Sequence, residues 1–276
     1  MSTQRWKLTI EYKGTHYSGW QIQPNVPSVQ ETIQIALKKF CQKDIKLTVA
    51  GRTDAGVHAM GQVAHFDLNY THSDGSSRAL EGFELTKAIN AHMLDEDVSI
   101  IKAERVAPDF HARFDALNKM YHYRLIRRAA PLAIERGLAW QHRLALDVEA
   151  MRDGAKYLLG QHDFTTFRDS ECQAKSPIRT LDRLDIKIRN YDGPRVESAY
   201  KAERDDGTYG TEILFSVEGK SFLHHQVRNM VGTLVEVGKG KWEPADIKTA
   251  LKAKDRRKGG PTAPADGLYF MHVEYP

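Results

Sequence analysis

Ala50-Gly51-Arg52-Thr53-Asp54-Ala55-Gly56-Val57-His58-Ala59 places one carboxylate beside one guanidinium in a short stretch bracketed by glycines. Upstream, Ile45, Leu47 and Val49 alternate with Lys46 and Thr48, and downstream Gln62-Val63-Ala64-His65-Phe66 is rich in β-formers, which predicts a loop joining two strands. Gly51 and Gly56 accept backbone angles closed to other residues and leave room for a ligand to approach the main chain. Taken alone, the loop is equally compatible with an active site and with a tight turn carrying a solvated Arg–Asp pair.

Other loop chemistries fit poorly. The glycine spacing is that of a phosphate-binding loop, but Val57 and His58 stand where such a loop needs Lys and then Ser or Thr. No Ser or Cys occupies a nucleophile-elbow setting, and no second acid lies nearby to form a glycosidase pair. A lone carboxylate remains, able to act as nucleophile or base without a cofactor.

The chain has 276 residues, 41% of them hydrophobic, enough for one large domain or two small ones with a substantial core. No run approaches a membrane span, and Met1-Ser2-Thr3-Gln4-Arg5-Trp6 lacks the apolar core of a signal peptide, so the expectation is a soluble cytoplasmic protein. Cys41 and Cys172 are far apart and in no metal or redox spacing. A net charge of +4 permits a polyanionic partner without requiring one. Two basic clusters stand out: Arg124, Arg127 and Arg128 after Tyr121 and Tyr123, and Lys252, Lys254, Arg256, Arg257 and Lys258 near the C-terminus. Each is either a solvated face or a set of phosphate and base contacts.

Periodicity predicts strands at 7–12, 98–106, 120–126, 184–188, 196–202 and 212–217, and helices at 29–40, 84–93, 147–159, 222–237 and 244–253. Ser28 and Glu31 form a capping-box pattern ahead of Val29, Ile33, Leu37 and Phe40, which share one helical face. Asp147 caps the third helix and Gly160 ends it. The segment from Tyr70 to Gly82 is a polar surface excursion. Strands and helices mix in both halves, which defines an α+β chain divided near 107/108, into 1–107 with the Asp54 loop and 108–276.

Further blocks extend the pattern along nearly the whole chain: Gly14-Thr15-His16-Tyr17-Ser18-Gly19-Trp20-Gln21, Phe110-His111-Ala112-Arg113-Phe114, Lys119-Met120-Tyr121-His122-Tyr123 and His162-Asp163-Phe164-Thr165-Thr166-Phe167. Phe222-Leu223-His224-His225-Gln226-Val227-Arg228-Asn229-Met230-Val231-Gly232 follows, then Gly260-Pro261-Thr262-Ala263-Pro264 and Gly267-Leu268. In this order the blocks resemble the tRNA pseudouridine synthase A family. The resemblance implies two ferredoxin-like or RNA-recognition-like halves whose sheets meet at a central catalytic cleft. It also implies a homodimer with tRNA as partner, no metal or organic cofactor, and conversion of uridine to pseudouridine at positions 38, 39 and 40 of the anticodon stem-loop.

By the same resemblance Asp54 is the catalytic residue, attacking C1′ or the uracil ring or removing the sugar 2′ proton. Tyr121 lies against the flipped base, the alternative being a strand tyrosine packed in a core. Arg228 is a buried arginine paired with the catalytic carboxylate; read only as part of a helix, it is a surface charge. Arg52 fills the space the flipped base vacates, or else is a loop cation near phosphate, and Thr53 accompanies it in substrate binding. Leu268 packs beside the uracil, with an ordinary core leucine as the alternative. His58, His65, His224 and His225 show no zinc spacing, and RNA contacts or bonds to backbone groups suit them better. The competing functions are a non-catalytic tRNA-binding or folding protein, against which the intact Arg52-Thr53-Asp54 argues, and a pseudouridine synthase with a different target position, since RNA shape recognition is spread over many loops.

Overall fold

The computed structural model describes residues 3–70, 79–191 and 210–276. Two compact units emerge, Met1–Lys119 with Phe270–Pro276, and Met120–Tyr269. This corrects the division at 107/108. Residues 108–119 stay with the first unit because Leu117 N–H donates to Glu274 O at 2.9 Å, Tyr275 Oη donates to Ala112 O at 2.6 Å, and Ala112 N–H donates to His65 Nδ1 at 3.1 Å.

The first unit runs β1 (Gln4–Tyr12), α1 (Val29–Cys41), β2 (Thr48–Val49), β3 (His58–Leu68), α2 (Gly82–Asn90) and β4 (Val98–Val106). β1 lies between β3 and β4, antiparallel to both, and β2 pairs antiparallel with β3. In β1 the period of two buries Trp6, Leu8, Ile10 and Tyr12 on one face. α1 sets Val29, Ile33, Ala36 and Leu37 inward, as its spacing predicts, while Phe40 is only half-buried. Ser28 Oγ accepts from Glu31 N–H at 3.4 Å and starts the helix.

The second unit runs β5 (Asn118–Arg127, from Met120 onward), β6 (Trp140–His142), α3 (Val148–Lys156), β7 (Gly160–Asp163), β8 (Ile178–Leu181), β9 (Arg183–Asn190), β10 (Thr211–Gly219), α4 (Gln226–Gly238), α5 (Pro244–Ala253) and β11 (Leu268–Glu274, to Tyr269). β5, β10 and β9 are consecutive neighbours, β6 runs parallel beside β5, and β7 pairs with β8 separately. Every residue of α4 except Arg228 is buried. The mixture of strands and helices in both units makes the chain α+β, as its patterning predicts.

Several boundaries differ from expectation. The predicted strand at 45–49 shortens to Thr48–Val49, and the predicted helix at 222–237 begins only at Gln226. His225 stands at the head of that helix with φ +60°, and Gln226 Oε1 accepts from Leu223 N–H at 2.9 Å, so residues 222–225 form a turn. The helix expected at 84–93 starts earlier, at Gly82, because Glu81 and Glu84 form a reciprocal capping box. The strand expected at 196–202 and most of the 70–82 excursion lie outside the described residues.

The first basic cluster is largely consumed within the unit. Arg124 Nε donates to Glu212 Oε1 at 2.6 Å and its Nη2 to Glu135 at 3.0 and 3.1 Å, and Arg189 reaches the other Glu212 oxygen. Burial pushes the Glu212 carboxyl up, but the bonds from Arg189 and Arg124 outweigh it and hold the group below its ordinary range. The stabilisation is therefore present at neutral pH and is lost as pH falls through the folded value. Glu212→Gln should cost on the order of 3 kcal/mol at pH 7 by leaving half-buried guanidinium charge uncompensated. Urea unfolding at pH 7 and pH 3.5 checks this, with the gap between variant and wild type expected to narrow at the lower pH.

Candidate active site

In the first unit the loop between β2 and β3 carries Arg52, Thr53 and Asp54. Its conformation is imposed by backbone from the segment after β1. Trp20 N–H donates to Thr53 O at 3.1 Å, and Gly56 N–H donates to Tyr17 O at 3.2 Å. Gly14 N–H donates to His58 Nδ1 at 3.0 Å. The approach is so close that a Cβ on Gly19, where φ is +92°, would stand 2.6 Å from Thr53 O, and one on Gly14 would stand 2.0 Å from Val57 O. These contacts show physically how the 14–21 block holds the 50–59 block in place. Inside the loop, Val57 N–H closes back on Asp54 O at 3.2 Å, and Gly56 takes φ +79°.

Arg52 is exposed and Asp54 half-buried, whereas Thr53 faces inward, its hydroxyl 2.7 Å from Tyr12 Oη. Thr53 thus anchors the loop. Burial pushes the Tyr12 phenol up to about 12, against the bonds from Thr53 and Gln62, and the nearby Asp54 charge adds to the rise. Gln62 Nε2 donates to Gly51 O at 2.8 Å.

Lys119, which sequence reasoning did not select, also reaches this loop. Its Nζ lies 3.8 Å from where a Cβ on Gly51 would be, beside Phe270. Lys119 is 8% exposed, and burial, reinforced by the Arg113 charge, lowers its ammonium to about 8. The signal was in the strand period: Lys119 shares the inward parity of Tyr121, Tyr123 and Leu125 in β5. Tyr12 and Gln62 escaped notice because an inward Tyr and Gln read as ordinary strand residues.

The second unit carries Tyr121, Arg228 and Leu268. Tyr121 is buried with its ring edge-on to Phe222, centroids 5.1 Å apart. Arg228 Nε donates to Ala263 O at 2.8 Å while Ala263 N–H donates to Arg228 O at 3.1 Å, which ties the first turn of α4 to the 260–268 strap. The strap lies directly on the helix, since a Cβ on Gly232 would meet Pro261 O at 1.8 Å. Tyr123 Oη donates to Pro264 O at 2.8 Å, and Gly267 fits where a Cβ would strike the Tyr123 ring at 2.7 Å. Leu268 follows, 5% exposed. Burial raises the Tyr123 phenol well above its ordinary value, and the Arg228 charge opposes that rise.

The histidines have local duties. His58 and His65 each accept a backbone N–H, from Gly14 and Ala112, and His225 Nδ1 lies 2.6 Å from Asp169 Oδ2. Part of the C-terminal basic cluster is structural as well: Arg256 bonds Gly260 O, Asn229 Oδ1 and Thr262 Oγ1.

A carboxylate on a loop clamped by backbone in the first unit, and in the second a buried aromatic ring on β5 and a half-buried guanidinium tied to the 260–268 strap, are groups suited to an enzyme acting on a planar base. The sequence model of a family described as tRNA pseudouridine synthase matches residues 8–115 and 155–276. A tRNA pseudouridine synthase A of Maricaulis maris is 47% identical over 272 residues, covering 99% of this chain and 98% of its own length. That of Paramagnetospirillum magneticum is 49% identical over 271 residues, covering 98% and 95%, and that of Caulobacter vibrioides 46% over 271 residues, covering 98% of both. The chain belongs to the tRNA pseudouridine synthase family. It is an RNA-binding isomerase that modifies tRNA, and among the described residues no helix is long and apolar enough to cross a membrane.

Among the described residues no carboxylate offsets the Lys119 charge. Lys119→Met should therefore raise stability by about 1–3 kcal/mol at pH 7 while lowering turnover. The unfolded chain holds this proton to about its ordinary value of 10.5 and the folded chain only to about 8. The stability gain should be full below about pH 8 and gone by about pH 10.5. Thermal unfolding across that range, with single-turnover assays at neutral pH, checks both effects.

Proposed function

We propose that the chain isomerises uridine to pseudouridine at positions 38, 39 and 40 of the tRNA anticodon stem-loop, with Asp54 as the catalytic residue. The observation carrying this reading is the Asp54 loop, whose only acid is held by main-chain bonds on both sides, so the carboxylate is presented in one place. The reaction breaks the N1–C1′ bond, turns the detached uracil, joins C5 to C1′ and moves the C5 proton to solvent while N1 gains one. Atoms and electrons balance without a redox partner, and no metal or organic cofactor enters the proposal.

Tyr121 stacks on the extruded base and its hydroxyl assists removal of the C5 proton. Arg228 supplies positive charge to the same reaction; it is the residue of α4 left unburied, which favours a functional guanidinium over a solvated surface charge. Arg52 fills the space left by the flipped base, and Leu268 packs beside the uracil. Thr53 contributes to substrate binding through the loop it anchors. Extruding the base costs on the order of a few kcal/mol, which stacking and charge offset.

Two ferredoxin-like halves belong to this proposal, with sheets meeting at a catalytic cleft. The first unit supports it with the element order β1-α1-β2-β3-α2-β4, β1 lying between β3 and β4 with β2 beyond β3. In the second, β5, α3, β9, β10 and α4 follow in the same order, and β10 lies between β5 and β9. Homodimeric assembly, which rests on the family resemblance, and a cytoplasmic place of action both belong to this proposal, and sedimentation of the purified chain tests the first.

Asp54→Asn should abolish release of the C5 hydrogen from labelled tRNA while leaving tRNA affinity within about tenfold. Mapping pseudouridine in tRNA from cells lacking the protein should show its loss at positions 38, 39 and 40. Appreciable turnover by the variant would remove Asp54 from the chemistry, and loss at other positions would reassign the target.

Tyr121→Phe should retain stacking and lose the hydroxyl, whereas Tyr121→Ala should also weaken base capture by about 1–3 kcal/mol. Single-turnover rates against enzyme concentration separate the two contributions. Full activity in both variants would leave Tyr121 a core tyrosine.

A further inference from the structure

The block Phe110-His111-Ala112-Arg113-Phe114 takes no part in the site described above, yet its turn is built with unusual care. His65 Nδ1 accepts from Ala112 N–H at 3.1 Å, and Asp115 Oδ2 accepts from His111 N–H at 2.7 Å. His111 Nδ1 accepts from both Arg113 N–H and Phe114 N–H, at 3.2 and 3.3 Å, and Tyr275 Oη donates to Ala112 O at 2.6 Å. Burial, with the nearby Arg5 and His111 charges, lowers His65 to about 4, so its ring is a neutral acceptor at physiological pH.

All this bonding holds a large apolar side chain in water. Phe114 is 72% exposed. Its ring stacks on His111 with centroids 4.3 Å apart and planes 28° apart, and the exposed Arg113 places its guanidinium carbon 5.9 Å from the Phe114 centroid. A turn tied at this many amides leaves Phe114 no easy way to fold inward, and a phenyl ring gains nothing by exposure unless something covers it. Arg113 is also close enough for its charge to act on Lys119, whose Nζ stands beside Gly51 of the Asp54 loop. The exposed ring and Arg113 thus form a cationic aromatic surface in the first unit, the unit that carries the Asp54 loop, with the buried Lys119 beside that loop.

That combination fits a ligand with π faces and negative charge. Neutral apolar partners would leave the cations unmatched, whereas an RNA strand offers both complements. We propose that Arg113 and Phe114 form a stacking platform for tRNA, Phe114 covering an unstacked base that neighbours the target uridine and Arg113 holding the adjoining phosphate. The inference rests on the proposed reading of the Asp54 loop as the catalytic loop.

The test measures tRNA affinity over a range of salt concentrations and single-turnover rates at saturating enzyme, for wild type, Phe114→Ala, Phe114→Trp, Arg113→Ala and Arg113→Lys. Phe114→Ala should weaken tRNA binding on the order of tenfold with an unchanged salt slope, and Phe114→Trp should restore it. Arg113→Ala should reduce the salt slope by about one, and Arg113→Lys should recover the slope but only part of the affinity. Phe114 is exposed, and matching unfolding midpoints for Phe114→Ala and wild type would certify that the fold is intact. Wild-type affinity in a folded Phe114→Ala protein overturns the proposal, as does a change in sedimentation with tRNA affinity unaltered, which would make the platform a contact between copies of the chain. Failure of the catalytic-loop reading is separately visible, because Asp54→Asn would then turn over tRNA while the Phe114 and Arg113 affinities still shifted.

Discussion

The first unit depends on backbone meeting backbone at Gly14 and Gly19. Two segments separated by a helix are locked together through the main-chain bonds Trp20 N–H to Thr53 O and Gly56 N–H to Tyr17 O, and the His58 side chain accepts Gly14 N–H in support. Side chains could not make this contact, because a single added carbon at either glycine would strike a carbonyl oxygen. Main-chain bonds have fewer alternative arrangements than side-chain contacts, so the loop between β2 and β3 holds Asp54 without relying on rotamer choice. Tyr12 and Gln62 complete the hold from below through Thr53 and Gly51.

The second unit solves a similar problem differently. Its strap at 260–268 is pressed onto α4 at Gly232 and onto β5 at Tyr123, and the reciprocal bonds between Arg228 and Ala263 fix where the guanidinium begins. Arg228 therefore stands out on a helix otherwise buried all round. The left-handed turn at His225, held by Asp169, sets where that helix starts and hence where Arg228 projects.

Much of this was legible in the sequence. Period-two burial in β1 and the 3.6-residue stripe of α1 follow from local patterning, and the two glycines marked the Asp54 loop. The start of α4 was misplaced because Phe222 continues the apolar stripe, while the bond from Leu223 N–H to Gln226 that ends the preceding turn leaves no periodic trace. The boundary near 107/108 failed because residues 108–119 owe their place to bonds with the C-terminal residues, which local patterning does not register. The basic run at Arg124 reads equally as a solvated face or as phosphate contacts, and only the fold reveals Glu135 and Glu212 opposite it. Lys119 was visible as an inward-facing lysine in a strand and needed only its parity to be read.

The most direct test of the clamp is the single-turnover rate of Gly19→Ala with enzyme saturating over tRNA. The added methyl group would stand 2.6 Å from Thr53 O and must displace the loop. The clamp account predicts a fall in rate on the order of 100-fold in a protein that remains folded and still binds tRNA. A folded Gly19→Ala protein with the wild-type rate would contradict it, showing that Asp54 is positioned by something other than this backbone contact.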